Sequence, residues 1–165
     1  MITYHRAELK DIPTIQYIAY ETWPETYREI LSNAQMTYML DMMYSEEVLS
    51  IQMESEEQIF YIAKKENEII GFVAFQYNYP EPKTTKIHKI YLLPSAQGHG
   101  VGKALINLAA DHARSVNNTQ ITLNVNKFNK ALNFYKKIGF EVLKYQDFDI
   151  GRGYLMEDAI MVKAL

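Results

Sequence analysis

The spacing of apolar residues in the first third of the chain predicts one short strand followed by three helices. Residues 2–7 alternate between two sets of side chains, as expected for a strand. Asp11 then precedes a proline at the start of a stretch with helical periodicity, and this first helix is expected to reach about Trp23, before Pro24 breaks it. Two further helices follow, with N-caps expected at Ser32 or Asn33 and at Ser45.

From Gln58 onward the apolar residues follow the shorter period of strands. Two runs, QIFYIAKK and EIIGFVAFQYN, are joined by a tight turn at residues 66–68 and predict an antiparallel hairpin. The elements predicted after it are the strand KIHKIYLLP, a helix from about Gly100 to Val116, the strand QITLNV, the helix NKALNFYKKI with Gly139 at its C′ position, and a final strand pair that turns at Gly151–Gly153. This order predicts a mixed α/β fold in which helices cover the faces of a sheet.

Length and composition favour one domain. With 165 residues, of which 48% are hydrophobic, the chain is long enough for one well-filled core and short for two, so residues 1–165 are expected to form a single domain. No run reaches the roughly 18 apolar residues of a membrane span. The start of the chain also lacks the basic-then-apolar pattern of a signal peptide, so the expected location is the cytosol.

The residue types present limit the possible chemistry. The chain has no cysteine, which excludes disulfides, thiolate zinc sites and a cysteine nucleophile, and its four histidines are too scattered to suggest a metal site. A net charge of −3 provides no basic field for nucleic acid or an anionic membrane, and suits a cationic substrate better. Catalysis is therefore expected from histidine, tyrosine, carboxylates, the backbone and a cofactor, without a metal.

The segment PSAQGHGVGKAL places Gly98, Gly100 and Gly102 at alternate positions between an apolar strand and a helix. It does not match a P-loop, because Gln97 replaces the first glycine and Ala104 replaces the hydroxyl residue that binds Mg²⁺. A dinucleotide-binding fingerprint fails as well, because the next strand does not end in an acidic residue. Two interpretations remain, a cradle of backbone N–H groups for an anion at a helix N-terminus and a tight turn without a ligand.

The same segment resembles the acetyl-CoA signature of the GNAT N-acetyltransferase superfamily, Q/R-x-x-G-x-G/A, which is met by Gln97, Gly100 and Gly102. A later segment, NVNKFNKALNFYKKIGF, is similar to the family's second strand-to-helix element, which is matched at Asn129, Ala131, Phe134, Tyr135, Gly139 and Phe140. The resemblance extends over nearly the whole chain. It implies the GNAT fold, a central, mixed and mostly antiparallel twisted sheet of six or seven strands, flanked by helices and splayed between the fourth and fifth strands.

The resemblance also implies a site for acetyl-CoA as the co-substrate. The acetyl-pantetheine arm would lie between the splayed strands and pair with backbone groups of Ile90 and Leu92. Asn129 and one of Lys136 and Lys137 would contact the coenzyme from the other side. The residues expected around the pyrophosphate are Gln97, Gly98, His99, Gly100, Val101, Gly102 and Lys103.

Direct attack of an amine on the thioester in a ternary complex needs a base, support for the oxyanion and a proton for the leaving thiolate. His88 is the candidate base, because strict alternation places it on one strand face with Ile90 and Leu92, although a half-exposed strand histidine is the alternative. The resemblance implies that Tyr135 is the proton donor, whereas periodicity alone would make it a core residue. The oxyanion would be held by a backbone N–H, expected at Leu92.

The resemblance further implies that the N-terminal helices form the acceptor site. Trp23 and Tyr27 are the candidate contacts to the amine. Nearby carboxylates, each more typical of a solvated helix face than of a binding site, are Glu21, Glu25, Asp41, Glu46 and Glu47. The runs ETWPETYREIL and FDIGRGYLMEDAIMVK resemble the PaiA type of GNAT enzyme, which implies spermidine or spermine as the acceptor.

Other functions remain open at the level of sequence. The acceptor could instead be a protein N-terminus or another small amine, and the alternative class is a non-catalytic module that binds CoA or regulates transcription. The expected partner is a small-molecule amine, with no nucleic acid and no membrane. Members of the superfamily are often dimers, so the resemblance is compatible with a homodimer.

Overall fold

A computed structural model describes residues 1–165. The elements follow one another in the predicted order and are β1 (Ile2–Arg6), α1 (Ile12–Tyr27), α2 (Asn33–Tyr44), α3 (Glu46–Glu54), β2 (Ile59–Lys65), β3 (Glu68–Gln76), β4 (Thr84–Leu92), α4 (Val101–Ser115), β5 (Gln120–Asn126), α5 (Ala131–Lys137), β6 (Glu141–Gly151) and β7 (Tyr154–Ala164). Short 3₁₀ turns precede α1 and α4. None of the helices combines the length and the hydrophobicity that crossing a lipid bilayer requires.

The seven strands form one sheet in the order β1-β2-β3-β4-β5-β7-β6. Every neighbouring pair is antiparallel except β4 and β5, which run parallel. The β4–β5 pairing extends only from Thr84 and Gln120 to Ile87 and Leu123. Beyond these pairs the two strands separate, so the expected mixed sheet with a splay between its fourth and fifth strands is confirmed.

Hydrophobic clusters cover both faces of the sheet. Alternate residues of β3 point to opposite faces, since Val73 packs towards α4 and α5 while Phe72 packs towards α1, α2 and α3. The cluster that contains Phe72 also contains Trp23, Tyr27 and Tyr44. The ring centres of Tyr27 and Tyr44 lie within 6 Å of that of Trp23. Aromatic side chains from the N-terminal helices thus reach the point where the sheet opens.

The prediction that Pro24 ends the first helix was wrong, because α1 continues through it to Tyr27. Proline inside a helix removes one backbone hydrogen bond and costs about 3 kcal/mol. The next turn still forms, with the Arg28 N–H donating to the Pro24 carbonyl oxygen at 3.0 Å. Trp23 and Tyr27 on either side of the proline are both buried, and packing of two large aromatic side chains offsets this cost.

Helix ends that depend on short-range signals were predicted correctly. Ser32 Oγ accepts from the Gln35 N–H at 3.1 Å, and Ser45 Oγ accepts from the Val48 N–H at 3.3 Å. At the end of α5, Gly139 adopts a φ of +105°, which lets the following N–H donate back to the carbonyl oxygen of Tyr135 at 3.0 Å. These contacts fix where α5 ends and hence where Tyr135 lies.

A β-bulge in β4 changes the direction of the side chains next to the splay. Ala74 of β3 lies opposite Lys89, and the adjacent Phe75 lies opposite Ile87, so His88 is an extra residue in β4. As a result, Ile87 packs into the same cluster as Ile90 and Leu92. Strict alternation predicts that His88 lies on the face of Ile90 and Leu92. The bulge interrupts this alternation at His88, so that prediction was wrong.

Candidate active site

A cavity of about 500 Å³ lies where β4 and β5 separate. Its walls come from β4, the glycine-rich loop, the start of α4, β5, α5 and three residues of α1, namely Thr22, Thr26 and Tyr27. The residues predicted from the sequence that line it are Tyr27, His88, Ile90, Leu92, Gln97, Gly98, Gly100, Val101, Gly102, Lys103, Asn129 and Tyr135. The tertiary structure thus brings most of the predicted site residues into one place.

The splay leaves backbone groups of β4 without a partner strand. The Leu93 N–H donates to the Ile70 carbonyl oxygen of the antiparallel neighbour at 2.8 Å. Because hydrogen bonding alternates along an antiparallel strand, the backbone groups of Ile90 and Leu92 point away from β3 and into the cavity. An extended ligand with amide groups can pair with them as an added strand does.

The loop between β4 and α4 presents a row of free N–H groups. The first helical hydrogen bond joins the Ala104 N–H to the Gly100 carbonyl oxygen, and the N–H groups of residues 98–103 have no acceptor within the chain. Gly98 and Gly100 have φ values of +80° and +71°, a left-handed conformation that glycine adopts at no steric cost. The helix dipole adds roughly half a positive charge there, so the loop suits a diphosphate.

Gly102 and Phe134 bring α4 and α5 together beside the cavity. A Cβ on Gly102 would lie 3.4 Å from Leu92 Cδ1 and 3.5 Å from Phe134 Cζ, so glycine permits the close approach of these elements. The separated strands, the free donors and this close packing fit a ligand that carries both a diphosphate and an extended amide chain. No group of three or more histidine or carboxylate side chains is arranged to hold a metal ion.

Four of the residues predicted from the sequence as candidate contacts do not line the main cavity. His99 and Lys137 are exposed to solvent, His99 at the outer side of the loop and Lys137 at the end of α5, and neither borders the cavity. Lys136 is exposed as well. Trp23 borders a smaller adjoining cavity instead, together with Tyr27. A side chain's direction depends on how its element packs, which the motif spacing does not report.

Tyr135 combines the predicted core position with access to the cavity. Its ring packs edge-on against Phe134 and Phe140, at centroid distances of 5.4 and 5.9 Å, and its side chain is 9% exposed. Burial raises the pKa of Tyr135 well above its ordinary value, and the nearby Tyr27 adds to this effect. The phenol is therefore protonated at neutral pH and able to donate a hydrogen bond into the cavity.

Tyr27 reaches from α1 across the opening in the sheet. Its hydroxyl shares a hydrogen bond of 2.8 Å with the hydroxyl of Tyr91, and burial raises the pKa of both groups. Asn129 Oδ1 accepts from the Ala131 N–H at 2.9 Å and so caps the start of α5. Asn129 therefore has a structural role in addition to its position on the cavity wall.

His88 lies in an environment that disfavours its charged form. Its Nε2 donates to Gln76 Oε1 at 2.8 Å, and burial, reinforced by Lys86 and Lys89, lowers the pKa of His88 to about 3. Removing a proton from an alkylammonium of pKa ~10.4 with such a base costs roughly 10 kcal/mol. The low basicity of this imidazole argues against the predicted role of His88 as the base.

The family model described as the acetyltransferase (GNAT) family matches residues 16–140, which include the glycine-rich loop, the splayed strands and α5. The chain belongs to the GNAT acetyltransferase family. It is an N-acetyltransferase that uses acetyl-CoA.

Curated relatives match the acetyltransferase over different lengths. An uncharacterised N-acetyltransferase from the pepI 3′ region of Lactobacillus delbrueckii subsp. lactis is 28% identical over 162 residues, covering 94% of this chain and 93% of that protein. An uncharacterised N-acetyltransferase of Methanocaldococcus jannaschii is 34% identical over 94 residues, covering 54% of this chain and 42% of that protein. The matched region thus spans less than half of the archaeal relative.

Solved structures of acetyltransferases share the fold over its full length. The PaiA N-acetyltransferase from Thermoplasma acidophilum, solved in complex with coenzyme A, has a TM-score of 0.83 and 25% identity, covering 100% of this chain and 99% of that one. A GCN5-related N-acetyltransferase from Rhodopseudomonas palustris has a TM-score of 0.82 at 18% identity, covering 99% and 95% of the two chains. At 18% identity, the similarity to the Rhodopseudomonas palustris protein shows a shared fold only.

The site contains residues that the motifs did not indicate. Tyr91 and Asn124 border both cavities, and Lys89 lines the main one. Asp158, on the last strand, lines the smaller cavity. A sequence signal existed for the two charged residues, since each is followed directly by an apolar run, IYLL after Lys89 and AIMV after Asp158.

Lys89 is a buried amine in the wall of the acetyltransferase. Its Nζ donates to Gln52 Oε1 at 2.9 Å and to Gln58 Oε1 at 2.7 Å, and lies 5.3 Å from the centre of the Phe60 ring. Burial lowers the pKa of Lys89 to about 7. The unfolded chain therefore binds a proton at this residue between about pH 7 and 10 that the folded protein does not.

The free energy of unfolding is expected to rise with pH over this range. Since the unfolded state holds more protons, Lys89 contributes a rise of up to about 1.4 kcal/mol per pH unit above pH 7. Urea unfolding at pH 7, 8 and 9 measures the slope. Lys89→Met should reduce it, whereas Lys65→Met, at an exposed position, should not; equal slopes in all three proteins would contradict a depressed Lys89 pKa.

Proposed function

We propose that the enzyme transfers the acetyl group of acetyl-CoA to a primary amine by direct attack in a ternary complex, with a polyamine such as spermidine or spermine as the preferred acceptor. The observation that carries this proposal is the junction of two adjoining cavities where β4 and β5 separate. The residues shared by both are Tyr27, Ile87, His88, Tyr91 and Asn124. One cavity suits the coenzyme and the other an acceptor, so both substrates can be bound together.

Direct transfer is also supported by the side chains that line the cavities. Neither cavity is lined by a serine, and the chain contains no cysteine, so the walls lack the two residue types that most often form an acyl-enzyme. Acetyl-CoA supplies an activated acyl group, the thioester. The protein supplies proximity, because it holds the acceptor next to that group.

The coenzyme would be held mainly by the backbone. The free groups of Ile90 and Leu92 would pair with the pantetheine amides, and the N–H groups of residues 98–103 would bind the pyrophosphate. The cavity wall from Gln97 to Lys103 supports this placement, whereas His99 would contribute its N–H rather than its side chain. The Leu92 N–H would support the developing oxyanion.

Tyr135 would donate its hydroxyl proton, or a hydrogen bond, to the leaving sulfur. It borders the cavity from α5, on the opposite side from the β4 backbone, and its hydroxyl is protonated at neutral pH. The raised pKa makes full proton transfer harder than for an exposed phenol. Hydrogen bonding to the developing thiolate is therefore its main contribution, and it grows as charge develops on the sulfur.

The polyamine acceptor rests on the resemblance to the PaiA type and on the walls of the smaller cavity. Trp23, Tyr27 and Tyr91 provide aromatic surface that favours an alkylammonium. The carboxylates predicted on the N-terminal helices do not border either cavity; the residues concerned, all exposed, are Glu21, Glu25, Asp41, Glu46 and Glu47. They would attract a polycation only at long range.

A panel of acceptors tests this function. Purified enzyme is incubated with acetyl-CoA and with spermidine, spermine, putrescine, a peptide with a free N-terminus or an arylamine, and thiol release is followed. The expected kcat/KM for spermidine or spermine is at least about tenfold above that for the peptide and the arylamine, because only the former present slender alkylammonium groups. Reactions without acceptor correct for hydrolysis of the thioester.

The outcomes separate the activity from the acceptor. Preference for the peptide would overturn the polyamine assignment and leave the acetyltransferase activity standing. No thiol release with any acceptor, in a protein that binds coenzyme A, would contradict the proposed catalytic function and favour a CoA-binding module.

A further inference from the structure

The smaller cavity, of about 160 Å³, lies between the N-terminal helices and strands β4, β5 and β7. Trp23 and Tyr27 of α1, Met39 and Met43 of α2 and Met156 of β7 give it a largely apolar wall. Such a slot admits a slender unbranched chain rather than a bulky ring system. It opens towards the coenzyme cavity through the residues that the two cavities share.

Asp158 is the only carboxylate that lines either cavity. It lies on β7 opposite Asn126 of β5, and it is 3% exposed. Its Oδ2 is buried and makes no hydrogen bond within the protein. A buried carboxylate oxygen without a partner is costly, which points to a ligand that supplies a positive charge and a hydrogen-bond donor.

The chain itself does not neutralise this carboxylate. Lys86 of β4 borders the same cavity, but the Lys86 Nζ lies over the Tyr79 ring, 5.6 Å from its centre. No ion pair within 4.0 Å involves Asp158, since all five in the structure join other residues. Asp158 is therefore free to pair with a ligand cation.

We propose that the smaller cavity is the acceptor site and that Asp158 Oδ2 binds the protonated amine there and removes its proton; this rests on the proposed acetyltransferase function. A primary ammonium carries three N–H donors and one positive charge, which match the unpaired oxygen, while its alkyl chain matches the apolar wall. Transfer of one proton from R–NH₃⁺ to Oδ2 leaves R–NH₂ with a free lone pair and a neutral Asp158. The carboxylic acid then returns that proton to water when the product leaves.

Burial and the neighbouring charges set the pKa of Asp158. Burial raises the pKa of Asp158 to about 6, and Asp147 of β6 adds to the rise, whereas the nearby amide of Asn124 of β5 and the charge of Lys86 oppose it. The other titratable groups facing the cavity are His88 of β4 and the hydroxyls of Tyr27 and Tyr91. Asp158 is ionised at neutral pH, yet it is a stronger base than an ordinary aspartate or than His88.

The decisive variant is Asp158→Asn, which keeps the shape of the side chain and removes its charge. Binding of spermidine to the protein saturated with coenzyme A is measured by calorimetry, and kcat and KM are measured separately. We expect spermidine affinity and kcat/KM to fall at least about 100-fold, with coenzyme A affinity unchanged. Asp111→Asn, with the same charge change on the exposed end of α4, is the matched control and should behave like the wild type.

The pH profile distinguishes a proton-accepting carboxylate from a structural one. Because the bound acceptor enters as the ammonium, wild-type kcat/KM should stay level from pH 7 to 9 and fall below about pH 6, where Asp158 becomes protonated. If the free amine had to arrive from solution instead, kcat/KM would rise tenfold per pH unit over that range. Such a rise would overturn the role of Asp158 as proton acceptor.

Stability provides a readout independent of turnover. Because the folded-state pKa of Asp158 is raised above 3.8, ionisation destabilises the fold as the pH rises through about 4 to 6. Asp158→Asn should therefore raise Tm by about 2–6 °C at pH 7.5 and less at pH 4. A lower Tm at pH 7.5, with lost activity, would indicate a structural role and overturn the proposal.

Failure of this proposal is distinguishable from failure of the proposed function. If wild-type enzyme acetylates amines and Asp158→Asn does so within threefold, the acceptor site is wrong and the activity stands. If the wild type releases no thiol yet binds spermidine in a manner that depends on Asp158, the acceptor site is supported and the proposed catalytic function is contradicted.

Discussion

Replacing Tyr135 by phenylalanine is expected to lower kcat about 10- to 1,000-fold while leaving the affinity for coenzyme A near that of the wild type, since a single acid–base or hydrogen-bonding role has about this magnitude. The ring keeps its packing against Phe134 and Phe140, and only the hydroxyl on the cavity wall is lost. An ordinary phenol would already be a weaker acid than the thiol by roughly 1.5 pKa units. Burial raises the pKa of Tyr135 further, so the lost interaction is a hydrogen bond that strengthens as the sulfur becomes negative.

Steady-state kinetics and calorimetry with coenzyme A test this expectation together. Tyr145→Phe, at an exposed position on β6, is the matched control for loss of a phenolic hydroxyl and should retain wild-type kcat. Wild-type kcat in Tyr135→Phe would remove this residue from the mechanism. The kcat/KM for acetyl-CoA should fall together with kcat, because the lost interaction strengthens in the transition state.

The second large effect is expected at the glycine-rich loop, where Gly100→Asp should lower coenzyme A affinity at least about 100-fold and leave the protein folded. A Cβ at Gly100 meets no atom within 4 Å, and aspartate tolerates the positive φ better than most residues. Its carboxylate would place a negative charge beside the free N–H groups at the start of α4. It would then compete with the pyrophosphate for these donors and repel it.

Gly100→Asn separates charge from size at the same position. Asparagine has nearly the size of aspartate and also tolerates a positive φ, but it carries no negative charge, so the expected order of coenzyme A affinity is wild type, then Asn, then Asp. Calorimetry gives the affinities, and Tm without ligand confirms that each variant is folded. A thermal shift with coenzyme A in Gly100→Asp equal to that of the wild type would contradict the pyrophosphate cradle.

These two variants act on different parts of the enzyme. Gly100 provides access to backbone donors that hold the coenzyme, whereas Tyr135 acts on the reacting sulfur. Loss of binding in the first and loss of turnover with intact binding in the second would show that the loop binds and α5 catalyses. Asp158→Asn tests the acceptor site, because it should leave the affinity for coenzyme A unchanged and lower the affinity for the amine.

Much of the fold was predictable because it depends on interactions between residues close together in the chain. The serine caps at Ser32 and Ser45, and the glycine that ends α5, each satisfy backbone groups within four or five residues. The glycine-rich loop is of the same kind, because three alternate glycines before a helix leave a row of free donors whatever the rest of the chain does. The amino-acid sequence by itself therefore determined the order of the elements and the coenzyme loop.

The tertiary structure alone decided the features that depend on contacts between distant segments. Helix α1 continues past Pro24 because the side chains of Trp23 and Tyr27 are both buried against the sheet. The bulge at His88 arises from the pairing of β4 with β3, and it places a histidine with a depressed pKa where alternation predicted a base. Asp158 lies over 60 residues from β4 in the chain, and only the position of β7 beside β5 brings its carboxylate to the acceptor cavity. Burial and charge at these positions come from neighbours that local sequence patterns do not specify.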